Sequence, residues 1–292
     1  MSIHDKDLWG RTKHDLAIER IRLFGGKCGQ SVKVAFSGGK DSQCCYHLCE
    51  EAGIEFDAYY AITRFEPPEL MSFICEFYPR VKIERRYKMS LVAEIGRKGL
   101  PNRWARWCCD AKHKATKFER AECLFVIGIR VEESPRRAET WRMVGHKPDG
   151  SRYLCPIIDW SESDVWEYLG NRPHCSLYNA GYKRIGCVMC PLAPKNMLKD
   201  SLRYPKTAAM LRMGANAYVA RMRNKGFVKV DGTPCSCWCK ANSPENEYWE
   251  RWVHTGQTCK PIHDLNADDG ECLFAGTGFG GNDEFSEWRE SE

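Results

Sequence analysis

Residues 34–42 read Val-Ala-Phe-Ser-Gly-Gly-Lys-Asp-Ser, and no other stretch limits the fold of this chain as much. The apolar run from Val32 to Phe36 predicts a strand, Ser37-Gly38-Gly39 a tight turn, and Lys40–Glu51 a helix. Strand, glycine turn and helix N-terminus in that order aim backbone N–H groups at a phosphate. Gly38 and Gly39 permit positive φ and close approach of the backbone to a ligand. Ser37 and Ser42 supply hydroxyls, Lys40 a point charge, and Asp41 a carboxylate suited to Mg2+. An ordinary βα turn needs none of these polar groups, so their combination points to phosphate binding. The other common phosphate loop, Gly-x-x-x-x-Gly-Lys-Ser/Thr, does not occur in the sequence.

The Ser-Gly-Gly-Lys-Asp-Ser run resembles the PP-loop of ATP pyrophosphatases, whose signature is Ser-Gly-Gly-x-Asp-Ser. That resemblance implies ATP and Mg2+ as ligands, with Ser37, Gly38, Gly39, Lys40, Asp41 and Ser42 cradling the phosphates. It also implies cleavage between the α- and β-phosphates, adenylation of an acceptor and release of pyrophosphate.

The alternation of strand and helix continues beyond the loop. Phe56–Ile62, Val81–Arg86 and Leu124–Ile129 read as strands, the last as a buried parallel one. Residues 67–77, 90–98 and 112–120 read as helices. This order predicts an α/β fold with a doubly wound parallel sheet, its ligands at the carboxyl ends of the strands. A helix is expected over 5–25, with Leu8, Leu16, Ile18, Ile21 and Leu23 near one face, stopped by Gly25-Gly26. From Asp159 the texture changes. Ser161 and Asp164 form a cap for a helix through Leu169, residues 194–225 read as helical and basic, and an aromatic helix surrounds Trp249–Trp252. The resulting partition is an N-terminal helix (1–30), a nucleotide-binding domain (31–193), a helical, basic, cysteine-rich region (194–273) and an acidic, flexible tail (274–292).

Seventeen cysteines demand a use. The N-terminus is polar and has no signal-peptide core, and no run approaches the roughly 20 apolar residues of a membrane span, so the expected compartment is the cytoplasm. There, clustered cysteines point to metal or redox chemistry more than to disulfides. Cys108-Cys109 and Cys187-x-x-Cys190 stand apart, the second pair held between Gly186 and Pro191. Four thiolates suit either a [4Fe-4S] cluster or a structural zinc. Cys235, Cys237 and Cys239, with Cys259 and His254 or His263 nearby, form a second group that could hold Zn2+, lend a ligand to the first site, or pass sulfur.

A Cys-Cys tandem followed about 80 residues later by Cys-x-x-Cys resembles the cluster ligation of adenylylsulfate reductases. Gly128-Ile129-Arg130-Val131-Glu132-Glu133-Ser134, with Arg136 or Arg137, resembles the nucleotide-binding motif of the phosphoadenosine phosphosulfate (PAPS) reductase superfamily. Pro156–Trp166 and Leu177–Tyr182 resemble two further segments of it. Together these cover roughly residues 31–200 and imply an adenine nucleotide alpha hydrolase-like fold. They also imply nucleotide contacts from Gly128, Arg130, Glu133 and Ser134. Lys40, Asp41, Arg130 and Arg137 become the candidate catalytic residues, and Cys108, Cys109, Cys187 and Cys190 the cluster ligands.

Two features depart from the reductases. Their phosphate loop lacks the Lys-Asp pair that Lys40 and Asp41 supply here. Their catalytic cysteine lies in a Glu-Cys-Gly-x-His setting, whereas the nearest match here is Glu271-Cys272-Leu273-Phe274. An ATP loop combined with an iron–sulfur site resembles instead the DNA phosphorothioation ATPases. That likeness implies adenylation for sulfur insertion, with a cysteine desulfurase or another sulfur donor as partner.

Charge distribution bears on the acceptor. The net charge is +5, but Lys183–Lys229 carries eleven Lys/Arg against Asp200 alone, and Asp264–Glu292 nine acids against Arg289 alone. The basic stretch suits nucleic acid, DNA in the phosphorothioation reading, or else is a solvated helical face that the tail partly neutralises. The competing expectations are a sulfonucleotide (APS/PAPS) reductase with a [4Fe-4S] cluster, and a nucleotide-sensing, nucleic-acid-binding subunit without turnover.

Overall fold

The computed structural model describes residues 2–25, 31–85, 89–109, 123–146, 152–224 and 243–258. The expected helix at 112–120, the Cys235, Cys237 and Cys239 group, Cys259, His263, Cys272 and the tail 274–292 lie outside the described residues. The chain divides into two units that interleave in sequence. The first holds Met1–Ile62, Glu66–Arg85 and Lys112–Gly186, and the second Thr63–Phe65, Arg86–Ala111 and Cys187–Glu292. This division differs from a linear partition with breaks at 30/31 and 193/194. It assigns the phosphate loop to the first unit and both cysteine pairs to the second.

The first unit is built on a six-stranded sheet. Its strands are β1 (Ser31–Ala35), β2 (Asp57–Ala61), β3 (Lys82–Glu84), β4 (Cys123–Val126), β5 (Val144–His146) and β6 (Arg152–Leu154). They lie in the order β3-β2-β1-β4-β6-β5. All pairings are parallel except β5 with β6. The order turns outward in both directions from β1 and β4, which creates the crevice at strand ends where α/β sheets bind ligands. The sheet is therefore doubly wound, with one antiparallel edge strand.

Strand geometry sends alternate side chains to opposite faces. In β4, Leu124 and Val126 join Val32, Val34 and Leu154 in the main core, while Cys123 and Phe125 pack with Ile129, Tyr153 and Cys155 in a second cluster. Both faces of β4 are thus buried, which explains its unbroken apolar run. The main core is covered by α1 (Lys13–Gly25), α2 (Lys40–Ala52), α3 (Pro68–Phe77) and α6 (Glu162–Leu169). Cys44, Cys45 and Cys49 on α2 are buried apolar fillers. A short helix, α5 (Pro135–Thr140), precedes β5.

The first helix starts at Lys13, not near residue 5. The Asp7 carboxylate accepts from the amides of Trp9 and Arg11, which closes a turn with Gly10 at φ +78°. Thr12 and Asp15 then start α1 by a reciprocal cap: Asp15 Oδ2 accepts from the Thr12 amide and hydroxyl, and Thr12 Oγ1 from the Asp15 amide. Leu8 is consequently exposed; Leu23, within α1, is exposed too, and Ala17, Ile18 and Ile21 carry the buried face. At α6 the cap expected from the sequence is present. Ser161 Oγ accepts from the Asp164 amide at 3.1 Å, and Asp164 Oδ2 from the Ser161 amide at 2.7 Å.

The second unit is helical, with α4 (Leu91–Lys98), α7 (Pro194–Arg203), α8 (Pro205–Asn224) and α9 (Pro244–Thr255). The basic segment is two helices, not one. Pro205 has no N–H to donate to the carbonyl four residues back, so α7 ends at its C-cap Tyr204 and Pro205 starts α8. The aromatic helix is α9. Its Tyr248, Trp249 and Trp252 fill the core with Leu91, Ile95, Trp107 and Val219. Buried polar tips are satisfied: Tyr248 OH accepts from the Leu100 amide at 2.9 Å, and Trp252 Nε1 donates to the Pro101 carbonyl at 2.6 Å. Among the described residues no helix is long and apolar enough to cross a membrane.

Candidate functional site

The loop between β1 and α2 is a closed network of hydroxyls. Ser42 Oγ accepts from the Ser37 amide and hydroxyl, both at 3.1 Å, and donates to the Gly39 carbonyl at 2.8 Å. Gly38 adopts φ +71°, and a Cβ there would lie 2.5 Å from Leu70 Cδ1. A side chain is excluded on both grounds. Gly39 is the N-cap of α2 with no side-chain cap of its own, and its carbonyl accepts from the Ser42 and Gln43 amides at 3.0 and 3.1 Å.

Lys40, expected as a point charge for phosphate, is only 3% exposed. Its Nζ donates to the Lys183 carbonyl at 3.2 Å and pairs with Glu162 at 3.2 Å, with Asp41 at 4.0 Å. Its amide donates to Tyr178 OH at 2.9 Å. Burial raises the pKa of the Tyr178 phenol well above its ordinary value, so it meets the amide as a neutral acceptor. Asp41, expected to hold Mg2+, instead accepts from Arg130 Nε at 2.6 Å. Each charge in the loop therefore already has a counter-charge that an incoming polyphosphate and cation would exchange for their own.

The segment after β4 brings the second set of expected residues to the same place. Gly128 packs against α2 so closely that a Cβ would lie 2.7 Å from the Asp41 carbonyl carbon and oxygen. Its role in the structure is to let the two strand ends approach. Arg130 is buried, with Nη1 on Glu132 at 2.8 Å and Nε on Asp41. Glu133 pairs with both Arg137 and Arg184. Ser134 caps α5 through the Arg137 amide at 3.3 Å. Of the two candidate arginines, Arg136 is exposed and Arg137 is half-buried. Burial draws the Arg137 guanidinium below its usual value, against the raising field of Asp41. All ten expected nucleotide-site residues and Arg137 thus fall in the first unit, on the loops after β1 and β4 and the first turns of the helices that follow them. Glu132, Glu162, Tyr178 and Arg184 were not expected as site residues. Glu132, Glu162 and Tyr178 lie within the segments that resemble the superfamily, and Arg184 lies just ahead of the Cys187-x-x-Cys190 pair.

The four candidate metal ligands all fall in the second unit. The pKa of the Cys108 thiol is raised far above its usual value, first by its hydrogen bond with Cys109, then by burial and by the fields of Cys109, Cys187 and Cys190. Burial raises Cys190 too, with Cys109 adding to it. Four cysteine thiols are the donor type that a structural cation or an iron–sulfur cluster takes. Among the described residues no group of three or more His, Cys, Asp or Glu side chains is gathered at metal-binding spacing.

The Cys187–Cys190 turn is fixed from outside. Met189 takes φ +52°, an unusual left-handed conformation for a side-chain-bearing residue. Its amide donates to buried Asp200 Oδ2 at 2.9 Å, and the Val188 amide to the Phe65 carbonyl at 2.6 Å. Thr63 Oγ1 lies 3.3 Å from Cys187 Sγ. Asp200, the single acid of the basic stretch, is therefore a structural support. Several of the bases are too. Arg221 donates to the Gly96 and Arg97 carbonyls at the end of α4, Arg223 pairs with Glu245, and Arg212 bonds Asn246. Lys195, Lys199, Arg203 and Lys206 are exposed.

The sequence profile of the phosphoadenosine phosphosulfate reductase domain matches residues 31–193. An uncharacterised protein of Methanocaldococcus jannaschii is 32% identical over 209 residues, 65% of this chain and 42% of that protein. A second from the same organism is 26% identical over 178 residues, 56% of this chain and again 42% of the other. The chain thus spans less than half the length of these two relatives. The adenosine 5'-phosphosulfate reductase of Allochromatium vinosum is 34% identical over 188 residues, 59% of this chain and 73% of that enzyme. Among solved structures, the U34-tRNA thiolase of Methanococcus maripaludis with its [4Fe-4S] cluster matches at TM-score 0.41 and 14% identity, over 92% of each chain.

Proposed function

The chain belongs to the phosphoadenosine phosphosulfate reductase domain family, and from that membership we propose that it is an ATP pyrophosphatase that adenylates an acceptor for sulfur insertion. The observation that carries this reading is the retained Lys40-Asp41 pair at the N-terminus of α2, each side chain held in an exchangeable ion pair. A loop that binds a nucleotide without its pyrophosphate has no need of a second cation and a carboxylate there.

ATP enters with its β- and γ-phosphates on the amides of the α2 first turn and on Ser37 and Ser42. Lys40 leaves Glu162 for phosphate oxygens. Arg130 and Arg137 neutralise charge as it grows on the departing pyrophosphate. An acceptor oxygen attacks the α-phosphorus; the bond to the bridging oxygen breaks, pyrophosphate leaves, and AMP remains on the acceptor. Hydrosulfide or an equivalent sulfur nucleophile then displaces AMP. Asp41 would hold Mg2+, which would supply positive charge against the phosphates. Cys108, Cys109, Cys187 and Cys190 would hold a [4Fe-4S] cluster, which would supply sulfur and electron chemistry in the second unit.

The acceptor we propose is nucleic acid, with DNA phosphorothioation as the specific reaction and a cysteine desulfurase as sulfur donor. The exposed Lys195, Lys199, Arg203 and Lys206 support a polyanion. The test is pyrophosphate release from ATP by anaerobically purified protein, with and without DNA. The second reading, sulfonucleotide reduction, is favoured by the 34% identity to an adenosine 5'-phosphosulfate reductase. It requires sulfite formation from adenylylsulfate with a thiol reductant, and loss of that activity in Cys272→Ser.

A further inference from the structure

Two tryptophans precede the Cys108-Cys109 pair, and the fold treats them oppositely. Trp107 is buried in the core of the second unit, its indole N–H on the Gly99 carbonyl at 3.2 Å and Lys98 Nζ 5.2 Å from its ring centre. Trp104 is 48% exposed. Arg103 and Arg106 on either side of it are exposed as well.

This exposure is built rather than loose. Asn102, itself buried, organises the turn. Its Oδ1 accepts from the amides of Trp104 and Ala105, both at 2.8 Å, and its own amide donates to the Ala105 carbonyl at 3.1 Å. Its Nδ2 donates to Thr258 Oγ1 at 3.1 Å, and Thr258 is buried too. A buried Asn bonded through both side-chain atoms at the base of a turn fixes the backbone that carries the indole. An aromatic ring left half in water loses apolar burial that the core next door could have given it. Held on a fixed turn, however, it offers a flat surface that loses little freedom when something stacks on it.

The charge around the ring selects what stacks. Between Glu94 and Asp110 the sequence holds Arg97, Lys98, Arg103 and Arg106 and no acid. An exposed planar ring flanked in sequence by two exposed arginines fits a nucleobase whose adjoining phosphates the arginines take. Bases offer a face for stacking only when they are out of a duplex, so the ligand is a single strand or an unstacked nucleotide.

We propose that the Asn102–Arg106 turn is a single-stranded nucleic-acid binding site, with Trp104 stacking on one base and Arg103 and Arg106 on the adjoining phosphates. The site brings a strand to the start of the segment that ends in the Cys108-Cys109 pair. It rests on the reading of the acceptor as nucleic acid and says which form of it is bound and by which residues.

The test is anisotropy titration of the full-length, anaerobically purified protein with short labelled single-stranded DNA, the same sequence as RNA, and the DNA duplex. Trp104→Ala is expected to weaken single-strand binding roughly 5- to 150-fold, with Trp104→Phe retaining most of the affinity and duplex binding little changed. Arg103→Ala is expected to lower the slope of log affinity against log salt by about 0.7, which Trp104→Ala leaves unchanged. Pyrophosphate release from ATP alone and the melting temperature should be the same in Trp104→Ala as in the wild type. Equal single-strand binding by wild type and Trp104→Ala overturns the site while leaving a nucleic-acid acceptor in place. No binding of any strand by the wild type overturns both the site and the nucleic-acid acceptor. Pyrophosphate release, measured separately, reports on the ATP reading in either case. A preference for DNA or RNA identifies the strand.

Discussion

Arg130 Nε donates to Asp41 Oδ1 at 2.6 Å, joining the loop after β4 to the first turn of α2. The two residues are 89 positions apart, and the pair forms because β1 and β4 are hydrogen-bonded neighbours whose carboxyl ends share one crevice. Arg130 is 4% exposed and keeps a second carboxylate, Glu132, at 2.8 Å. Asp41→Ala therefore leaves Arg130 partly satisfied. We expect a stability loss of about 1–3 kcal/mol, read from urea denaturation, against a drop in pyrophosphate release of at least about 100-fold. Comparable losses of stability and turnover, with ATP binding unchanged, would make the pair structural only.

Gly128→Ala introduces a Cβ that meets the Asp41 backbone at 2.7 Å, and backbone cannot rotate away as a side chain can. The substitution should push the β4 loop from α2 and misplace Arg130 and Asp41 together. The expected outcome is loss of measurable ATP binding by calorimetry with a stability cost of about 1–3 kcal/mol. Unaltered nucleotide affinity would mean that the approach of the two loops is not needed for the site.

How much of this was readable beforehand follows from how far apart the interacting residues lie. The β1–loop–α2 unit is local, and spacing alone places Ser37, Gly38, Gly39 and Ser42. The Ser161–Asp164 cap is local too. The late start of α1 was obscured because Leu8 fits a helical face, and only the Asp7 turn and the Thr12–Asp15 cap remove it from the helix. Pro205 was a visible break that the basic composition around it masked. The partners of Lys40 could not be read at all. Tyr178 and Lys183 lie 138 and 143 residues away and reach it only through the fold.

Asp164 gives the first unit a dependence on pH. Burial would raise its carboxyl, but Lys13 Nζ at 2.5 Å and the Ser161 amide outweigh that and hold it below the usual value. A carboxyl that is harder to protonate folded than unfolded contributes stability above the ordinary carboxylate range, about pH 4, and loses it as pH falls through the depressed folded value. Asp164→Asn should thus be less stable than the wild type at neutral pH, and the two should converge as pH drops below about 4. Urea denaturation across that range checks it; a gap independent of pH would show that the charge contributes nothing.

Asp200 supports the left-handed Met189 between Cys187 and Cys190. Asp200→Ala removes the acceptor of the Met189 amide. It should loosen this turn by about 1–3 kcal/mol and speed the reaction of metal-free Cys187 and Cys190 with a thiol reagent. Asp200→Asn retains an acceptor oxygen and should behave close to the wild type. Equal thiol reactivity in Asp200→Ala and wild type would show that the turn holds without it.

The central claim is cleavage of ATP between its α- and β-phosphates. Its most direct test is product analysis with ATP labelled at the α-phosphate, using anaerobically purified wild type and Asp41→Ala with single-stranded DNA as acceptor. The account predicts labelled AMP, free or on the acceptor, together with pyrophosphate in wild type and neither in Asp41→Ala. Labelled ADP with free phosphate, or no turnover of ATP beside sulfite formation from adenylylsulfate, would contradict it.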